Sequence, residues 1–226
     1  MTSPIVSFRG FVAALLLALG VAGCTSAPPK PTSVGNPQQT WLARQQLLEE
    51  VDEWSAVGRI AISSRAESWS ASIRWQQKGD SYQIDLSGPF GQGAARIVGR
   101  AGLVELHAAD GTVRRARSAE GLLQREIGWR VPLSGFRYWV LGRSAPELGP
   151  ANERIDAYGR LEELEQAGWT TRYESYDDAT LAMPNRLVVS SNGVEAKLIV
   201  KRWTLHASPR ATALNQSGAK SATPDG

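Results

Sequence analysis

The sequence is poor in the residue types from which catalytic and metal sites are most often built. It contains one cysteine, Cys24, and two histidines, His107 and His206, which lie far apart in the chain. A single cysteine cannot form an internal disulfide, and the two histidines lack the spacing of metal ligands. The Gly-x-Ser-x-Gly motif of a nucleophilic serine is also missing. We therefore predict no catalytic residue, no metal ion and no cofactor, and we expect that the protein is not an enzyme.

The chain also lacks a large excess of either charge. Its 25 Lys and Arg residues against 22 Asp and Glu residues give a net charge of +3, and the basic residues are scattered apart from a short run at 114–117. Nucleic-acid binding normally requires a concentrated basic stripe. We therefore expect no nucleic acid among the partners.

A long apolar run is missing as well. Residues 11–22 are apolar, but they are fewer than the ~20 residues that a membrane-spanning helix needs, and after a polar start they are typical of a secretory signal. Val-Ala-Gly directly precedes Cys24, which is the lipoprotein form of the cleavage site; the alternative is an ordinary signal with a chance cysteine. We predict that residues 1–23 are removed and that acylated Cys24 anchors the protein. Thr25, rather than Asp, follows it, which favours the outer membrane.

Composition divides the remaining chain into three parts. Residues 24–39 are rich in Pro, Ser and Thr and predict a flexible tether. Residues 207–226 are small and polar without apolar periodicity and predict a disordered tail. Residues 40–206 are long enough to form one domain with a sizeable core.

The folded part is predicted to be mainly β. A helix is expected from Thr40, as its N-cap, to about Trp54, and after it the apolar spacing changes to two residues. Turn residues at 78–80, 109–111 and 191–193 indicate hairpins. Alternating strands joined by short turns predict an antiparallel sheet large enough to curl. The candidate strands are 58–63, 69–76, 82–86, 94–100, 102–108, 112–117, 160–166, 169–175, 186–191 and 194–204.

Two helices are predicted to interrupt the strands. One spans 118–127 with Ser118 as its cap, and the other spans 134–141 and carries Phe136 and Trp139 on one face. Inserted into a curled sheet, they would cover one mouth of it or plug it. Trp69 and Trp75 fall on the predicted inner face of the sheet, so that these tryptophans either pack the core or line a cavity that an acyl chain can fill.

The connection after the strand at 82–86 contains an unusual apolar residue. Phe90 stands between Pro89 and Gly91 in a segment of Gly, Pro and Ser, and such connections run over the surface. Phe90 is therefore expected to be exposed and to touch lipid or a partner. The alternative is that its ring folds back onto the core.

Together these features resemble the LolB family of outer-membrane lipoprotein receptors. The similarity covers most of residues 41–205 and rests on the order and spacing of short motifs rather than on any one of them. These motifs are the lipid-attachment site at Cys24, Gly58-Arg59-Ile60-Ala61, Ile73-Arg74-Trp75-Gln76-Gln77, Gly88-Pro89-Phe90-Gly91, Val131-Pro132-Leu133, residues 136–142, Gly159-Arg160-Leu161 and Trp203.

The resemblance implies an incomplete, unclosed antiparallel β-barrel that encloses an apolar cavity covered by helices. Members of the family accept acylated lipoproteins from the periplasmic carrier LolA and insert them into the outer membrane. Phe90 matches the family's exposed apolar loop residue, where other members often carry Leu. The implied partners are LolA, the acyl chains of client lipoproteins and outer-membrane phospholipid, and we expect a monomer on the periplasmic face. The residues expected to line the cavity are Trp69, Ile73, Trp75, Tyr82, Ile84, Leu86 and Trp139.

Two other functions share most of these features. A lipid-anchored periplasmic binding protein for another apolar ligand would have the same barrel. A structural outer-membrane lipoprotein would have a filled barrel without a cavity. Occupancy of the cavity by an acyl chain distinguishes a receptor from the structural lipoprotein.

Overall fold

A computed structural model describes residues 35–65, 67–89, 93–127 and 132–207 of the protein. Cys24 and Phe90 lie outside these ranges, as do residues 208–226, which make up most of the predicted tail. Lipid attachment at Cys24 and membrane contact by Phe90 therefore stay predictions.

Helix α1 spans Pro37–Glu49 and precedes the sheet. Its N-cap is Asn36, whose side-chain oxygen accepts hydrogen bonds from the backbone N–H groups of Gln38 (3.1 Å) and Gln39 (3.2 Å). A proline in the first turn suits this start, because its fixed φ is helical and its missing N–H needs no partner. The prediction that Thr40 caps this helix is wrong, and the helix takes up the end of the predicted tether.

Eleven antiparallel strands form a single sheet in the order β6-β5-β4-β3-β2-β1-β11-β10-β9-β8-β7. The edge strands β6 and β7 do not pair with each other in the described part of the chain, so the sheet is not closed. The strands are β1 (Val51–Ser63), β2 (Ser68–Lys78), β3 (Ser81–Ser87), β4 (Ala95–Arg100), β5 (Leu103–Ala108), β6 (Val113–Ala116), β7 (Ala151–Ile155), β8 (Leu161–Gln166), β9 (Trp169–Tyr176), β10 (Pro184–Ser191) and β11 (Val194–Ala207).

This architecture confirms the predicted mainly-β fold with an unclosed antiparallel sheet. The predicted helix end at Trp54 is wrong, because β1 begins at Val51 and Trp54 pairs with both Gln77 of β2 and Leu205 of β11. Pairing on both sides outweighs the helical spacing of apolar residues. Strand β7 was not predicted, since an edge strand with mostly exposed side chains has little apolar alternation.

Strand β1 approaches β11 most closely at Gly58. A Cβ atom added there would lie 2.0 Å from the carbonyl oxygen of Ile199, and the register between the two strands shifts between Val57 and Gly58. Glycine is required here because the partner is backbone, which cannot rotate away as a side chain can.

Two helices connect β6 to β7 and pack on the buried face of the sheet. Helix α2 spans Ala119–Ile127, and the Ser118 hydroxyl accepts a hydrogen bond from the Gly121 backbone N–H at 3.1 Å. Helix α3 spans Leu133–Trp139 and is followed by Gly142, whose φ is +80°. Both predicted helices are confirmed, with α3 starting one residue early and ending two residues early. Within the described ranges, no helix combines the length and apolar character needed to cross a membrane.

Candidate functional site

The side chains on the buried face of the sheet form rows that run across neighbouring strands. In one row Trp75 of β2 lies opposite Ala56 of β1 and Ile84 of β3. In the next row Ile73 lies opposite Leu86. Trp75, Ile84 and Ile73 are only 3%, 5% and 7% exposed. These residues therefore share one apolar face, as the alternation in the sequence predicts.

Five aromatic rings connect this face to helix α3. The Trp54 ring lies 5.1 Å from Trp75 and 5.5 Å from Trp203, measured between centroids. The Trp75 ring stacks on Phe136 at 6.2 Å, and Phe136 lies 6.1 Å from Trp139. Such offset and tilted pairs stabilise a core beyond the area they bury. Phe136 thus occupies the space above Trp75.

Sequence reasoning placed Trp54 on a helix and so missed it as an inner-face residue. The alternation of Trp54, Ala56, Gly58 and Ile60 on β1 continues the inner face of β2, and all four are buried. This two-residue alternation is the sequence signal that would have assigned Trp54 to a strand. Trp203, opposite Ala56 on β11, completes the row.

Trp139 is fully buried and is held by hydrogen bonds at two points. Its indole N–H donates to the side-chain oxygen of Gln166 at 2.9 Å, and its carbonyl accepts from the Tyr173 hydroxyl at 2.9 Å. Gln166 also accepts from the Ala145 N–H at 2.9 Å and donates to the carbonyls of Ala145 and Gly149, each at 2.8 Å. Every hydrogen-bonding position of this buried amide is used. Trp139 therefore packs as an anchor of α3.

Helix α3 is tied at a second place, the turn between β2 and β3. The Arg137 guanidinium donates to the Asp80 carboxylate at 2.6 Å and to the Gly79 carbonyl at 3.3 Å. It also lies 4.7 Å from the centroid of the Tyr138 ring. Arg137 thus joins α3 to the β2–β3 turn, and Trp139 joins it to β8 and β9.

The other predicted cavity residues, Trp69, Tyr82 and Leu86, are half-buried and pack against the edge of the core. The Tyr82 ring covers Gly99, where an added Cβ atom would lie 2.1 Å from the ring. The Tyr82 hydroxyl is buried without a hydrogen-bond partner in the described part of the chain. Burial, with a smaller effect of the Glu120 carboxylate, raises the pKa of Tyr82 to about 12. This hydroxyl stays neutral at physiological pH.

Two cavities border the end of the sheet where Trp54 and Gln77 lie side by side. One has a volume of about 420 Å³ and is also lined by Tyr82, and the other has a volume of about 210 Å³ and is also lined by Arg137 and Tyr138. These two cavities thus lie at one end of the face. The described side chains at its centre are packed together.

Groups that would suggest catalysis are accounted for by ion pairs or hydrogen bonds. The two Glu163 carboxylate oxygens lie 2.8 Å from Arg172 and 3.4 Å from Arg154. His107 lies 3.3 Å from Glu105 on the outer face. Among the residues that the structure describes, no cluster of three or more His, Cys, Asp or Glu side chains is arranged to hold a metal ion.

The sequence from residue 52 to residue 203 matches the family model described as "Outer membrane lipoprotein LolB". The chain belongs to the LolB family. The match includes almost the whole sheet together with α2 and α3, which are the elements that form the apolar face.

Curated LolB relatives align with nearly their whole length. "Outer-membrane lipoprotein LolB" of Nitrosococcus oceani is 37% identical over 186 residues, which is 82% of this chain and 92% of the relative. The LolB protein of Chromohalobacter salexigens is 38% identical over 204 residues, or 90% and 94%, and that of Pseudomonas aeruginosa is 37% identical over 197 residues, or 86% and 95%. A solved LolA-superfamily protein from Nitrosomonas europaea is similar with a TM-score of 0.48, 14% identity and coverage of 80% and 97%.

Proposed function

We propose that this LolB-family protein receives acylated lipoproteins from the periplasmic carrier LolA and inserts them into the outer membrane. The observation that carries this proposal is the apolar face of an unclosed sheet, covered by helices rather than by further strands. A closed barrel must admit its ligand through a mouth. An unclosed sheet can admit several chains from the side when a helix moves.

The need for such a face follows from the cost of exposing acyl chains to water. A chain of ~16 carbons at ~0.8 kcal/mol per buried CH₂ loses about 13 kcal/mol on leaving an apolar environment, as an upper bound. A receptor must therefore take the chains directly from the carrier and release them directly into lipid. No energy source is needed if each site binds the chains more tightly than the one before.

We infer that helix α2, and not α3, is the part that moves. Helix α3 is held by the buried hydrogen bonds of Trp139 and Gln166. Helix α2 packs Leu122 into the core, but its polar contacts are exposed, such as the hydrogen bond from the Ser134 N–H to the Glu120 carboxylate at 3.0 Å. Exposed contacts exchange with water at little cost, so they release more readily than buried ones.

Within this proposal the predicted cavity residues have two roles. Leu86, Tyr82 and Trp69 are half-buried at the rim and would meet an arriving acyl chain first. With α3 in place, the Phe136 side chain would turn away from Trp75, and the acyl chain would lie along the inner rows. Acylated Cys24 would hold the monomeric receptor at the outer membrane, and Phe90 would contact phospholipid as the chains leave.

Depletion of the protein in its native host tests this function. We expect client lipoproteins to accumulate as complexes with LolA in the periplasm, and re-expression of the wild-type chain to reverse the accumulation. If depletion leaves the LolA-bound fraction unchanged, the receptor function is wrong. Pull-down of LolA followed by lipoprotein immunoblotting gives the measurement.

A further inference from the structure

The outer face of the sheet carries a group of cations on its central strands. Arg59 of β1, Arg74 of β2 and Lys197 and Arg202 of β11 all point away from the buried face, and we call these four residues the basic patch. Arg74 and Arg202 lie on either side of Val57 in one row. Arg59 is two residues further along β1. Diagonal neighbours on adjacent strands, such as Arg59 and Arg74, lie about 8 Å apart, and Arg74 and Arg202, two strand spacings apart, lie about 10 Å from each other.

The basic patch differs from the rest of the outer face in its ion pairing. Arg96, Arg154 and Arg172 elsewhere on that face each contact a carboxylate, at 2.5 to 2.8 Å. No salt bridge is formed by any basic-patch residue with another described residue. Arg74 lies opposite Asp85 of β3, and that carboxylate forms its salt bridge with Arg96. The patch thus carries more positive charge than the nearby carboxylate offsets.

The basic patch extends from the middle of β1 towards the end of the sheet at which β3 finishes. Arg59 pairs with Ser72, and Ser72 pairs with Ser87, the last residue of β3. Phe90 follows three residues later in the sequence. A surface that binds the patch therefore also lies near the start of this loop.

We propose that the basic patch docks on the anionic phospholipid headgroups of the membrane in which the protein is anchored. This inference rests on the proposed function. Asn36 is the twelfth residue after Cys24, and a tether of that length spans at most about 43 Å. The folded domain therefore stays close to the headgroups, and docking is an intramolecular event. The neighbours of the patch are short side chains, Ser70 and Ser72 among them, and such a shallow surface suits an array of phosphates rather than a shaped protein partner.

Docking orients the receptor as well as holding it. Each Lys or Arg beside an anionic surface favours the docked state about fivefold, so that three cations change the ratio of docked to free domains by roughly a hundredfold. The charge attraction is screened within a Debye length of about 10 Å at 0.1 M salt and about 3 Å at 1 M salt. Docking should therefore depend on both lipid charge and salt.

Energy transfer from the outer face to labelled lipid tests the proposal. The acylated full-length mature protein carrying Ser70→Cys, whose only free thiol is the new one, is labelled with a donor dye and reconstituted in vesicles that contain acceptor-labelled headgroups. Vesicles of phosphatidylcholine are compared with vesicles in which a third of the lipid is phosphatidylglycerol. Because acylation holds the protein in both, any difference reports docking of the folded domain.

We expect energy transfer to be at least about twofold higher in the anionic vesicles and to fall to the neutral level near 1 M salt, where screening is short-ranged. The triple variant Arg59→Gln, Lys197→Gln, Arg202→Gln should lose the difference. The conservative double variant Arg59→Lys, Arg202→Lys should keep it, which separates a loss of charge from a loss of folding.

The matched control removes three paired arginines from the same face, by Arg96→Gln, Arg154→Gln and Arg172→Gln. It has the same net charge as the triple patch variant and should dock as the wild type does. Equal energy transfer for the patch variant and the wild type would overturn the proposal, and so would an equal loss in the control. A patch variant that docks normally but no longer binds LolA would assign the patch to an acidic protein surface and overturn it as well.

Transfer of a lipoprotein from LolA into the same vesicles separates this inference from the proposed function. If transfer by the wild type occurs but lipid charge has no effect on docking, the inference fails and the receptor function stands. If the wild type transfers no lipoprotein into either kind of vesicle, the receptor function fails, whatever the docking result.

Discussion

Two tyrosines of the core differ in what their hydroxyl groups contact. The Tyr173 hydroxyl donates to the Trp139 carbonyl at 2.9 Å, whereas the Tyr82 hydroxyl is buried without a partner among the described residues. A buried polar group without a partner costs stability, and a satisfied one contributes about 1 kcal/mol. The same substitution at the two positions therefore has opposite consequences.

We expect Tyr82→Phe to leave the free energy of unfolding unchanged or to raise it by up to about 1 kcal/mol, because it removes an unpaired hydroxyl and keeps the ring over Gly99. Tyr173→Phe should lower it by about 1 kcal/mol. Urea unfolding of the two variants beside the wild type provides the comparison. A larger loss for Tyr82→Phe than for Tyr173→Phe would show that water or a moving segment satisfies the Tyr82 hydroxyl.

Phe90 is the residue whose predicted role is most directly tested by substitution. With Phe90→Glu we expect the protein to fold and to accept lipoprotein from LolA, but to fail in inserting it into vesicles, since a carboxylate is poorly accommodated in lipid. Phe90→Leu, which keeps an apolar side chain, should insert normally. Release into vesicles and retention on the receptor are measured for both. Equal insertion by the Glu variant and the wild type would remove the role assigned to Phe90.

At the scale of the elements, Gln166 connects helix α3 and the segment after it to strand β8. Its amide makes four hydrogen bonds, to Trp139, to both backbone groups of Ala145 and to Gly149. Among the described side chains, Gln166 alone forms hydrogen bonds both to α3 and to residues 145–149. This buried amide thus holds α3 over the inner face together with the contacts of Arg137 and Tyr173.

Gln166→Leu keeps much of the side-chain volume but leaves those four groups without partners. Because each buried unsatisfied group costs about 1–3 kcal/mol, we expect the free energy of unfolding to fall by at least about 3 kcal/mol. Gln76→Leu, on the exposed face of β2, is the matched control and should change it by less than about 0.5 kcal/mol. Thermal and urea unfolding measure both. A small effect at Gln166 would mean that α3 is held mainly by its apolar contacts.

The elements differ in how far the sequence predicts them. Helix α2 was predicted because Ser118 supplies a cap and Leu122 an apolar position, both of which are local signals. Strand β7 was missed because its identity comes from pairing with β8 and not from its own side chains. The start of β1 was missed for a related reason, since Trp54 has apolar neighbours at helical spacing and becomes a strand residue only through two partner strands.

At the scale of the whole molecule, anchoring and transfer are expected to be separable. A form with an ordinary signal peptide and Ser in place of Cys24 should fold and take lipoprotein from LolA, because no sheet residue is changed. It should lose its place in the outer-membrane fraction, because a protein without acyl chains lacks the anchor. Fractionation and a transfer assay test the two parts, and membrane association of the unacylated form would show that another surface suffices for anchoring.

The antiparallel mainly-β fold and the apolar inner residues of β2 and β3 were determined by the sequence alone, because each depends on local spacing. Lipid attachment at Cys24 stays a prediction from the sequence. In a strand, the two-residue alternation puts Ile73, Trp75 and Ile84 on one face independently of the rest of the chain. Only the tertiary structure decided that Trp139 is a buried anchor and that Phe136 fills the space over Trp75. Those contacts join segments that lie tens of residues apart, and no local pattern encodes the distance between them.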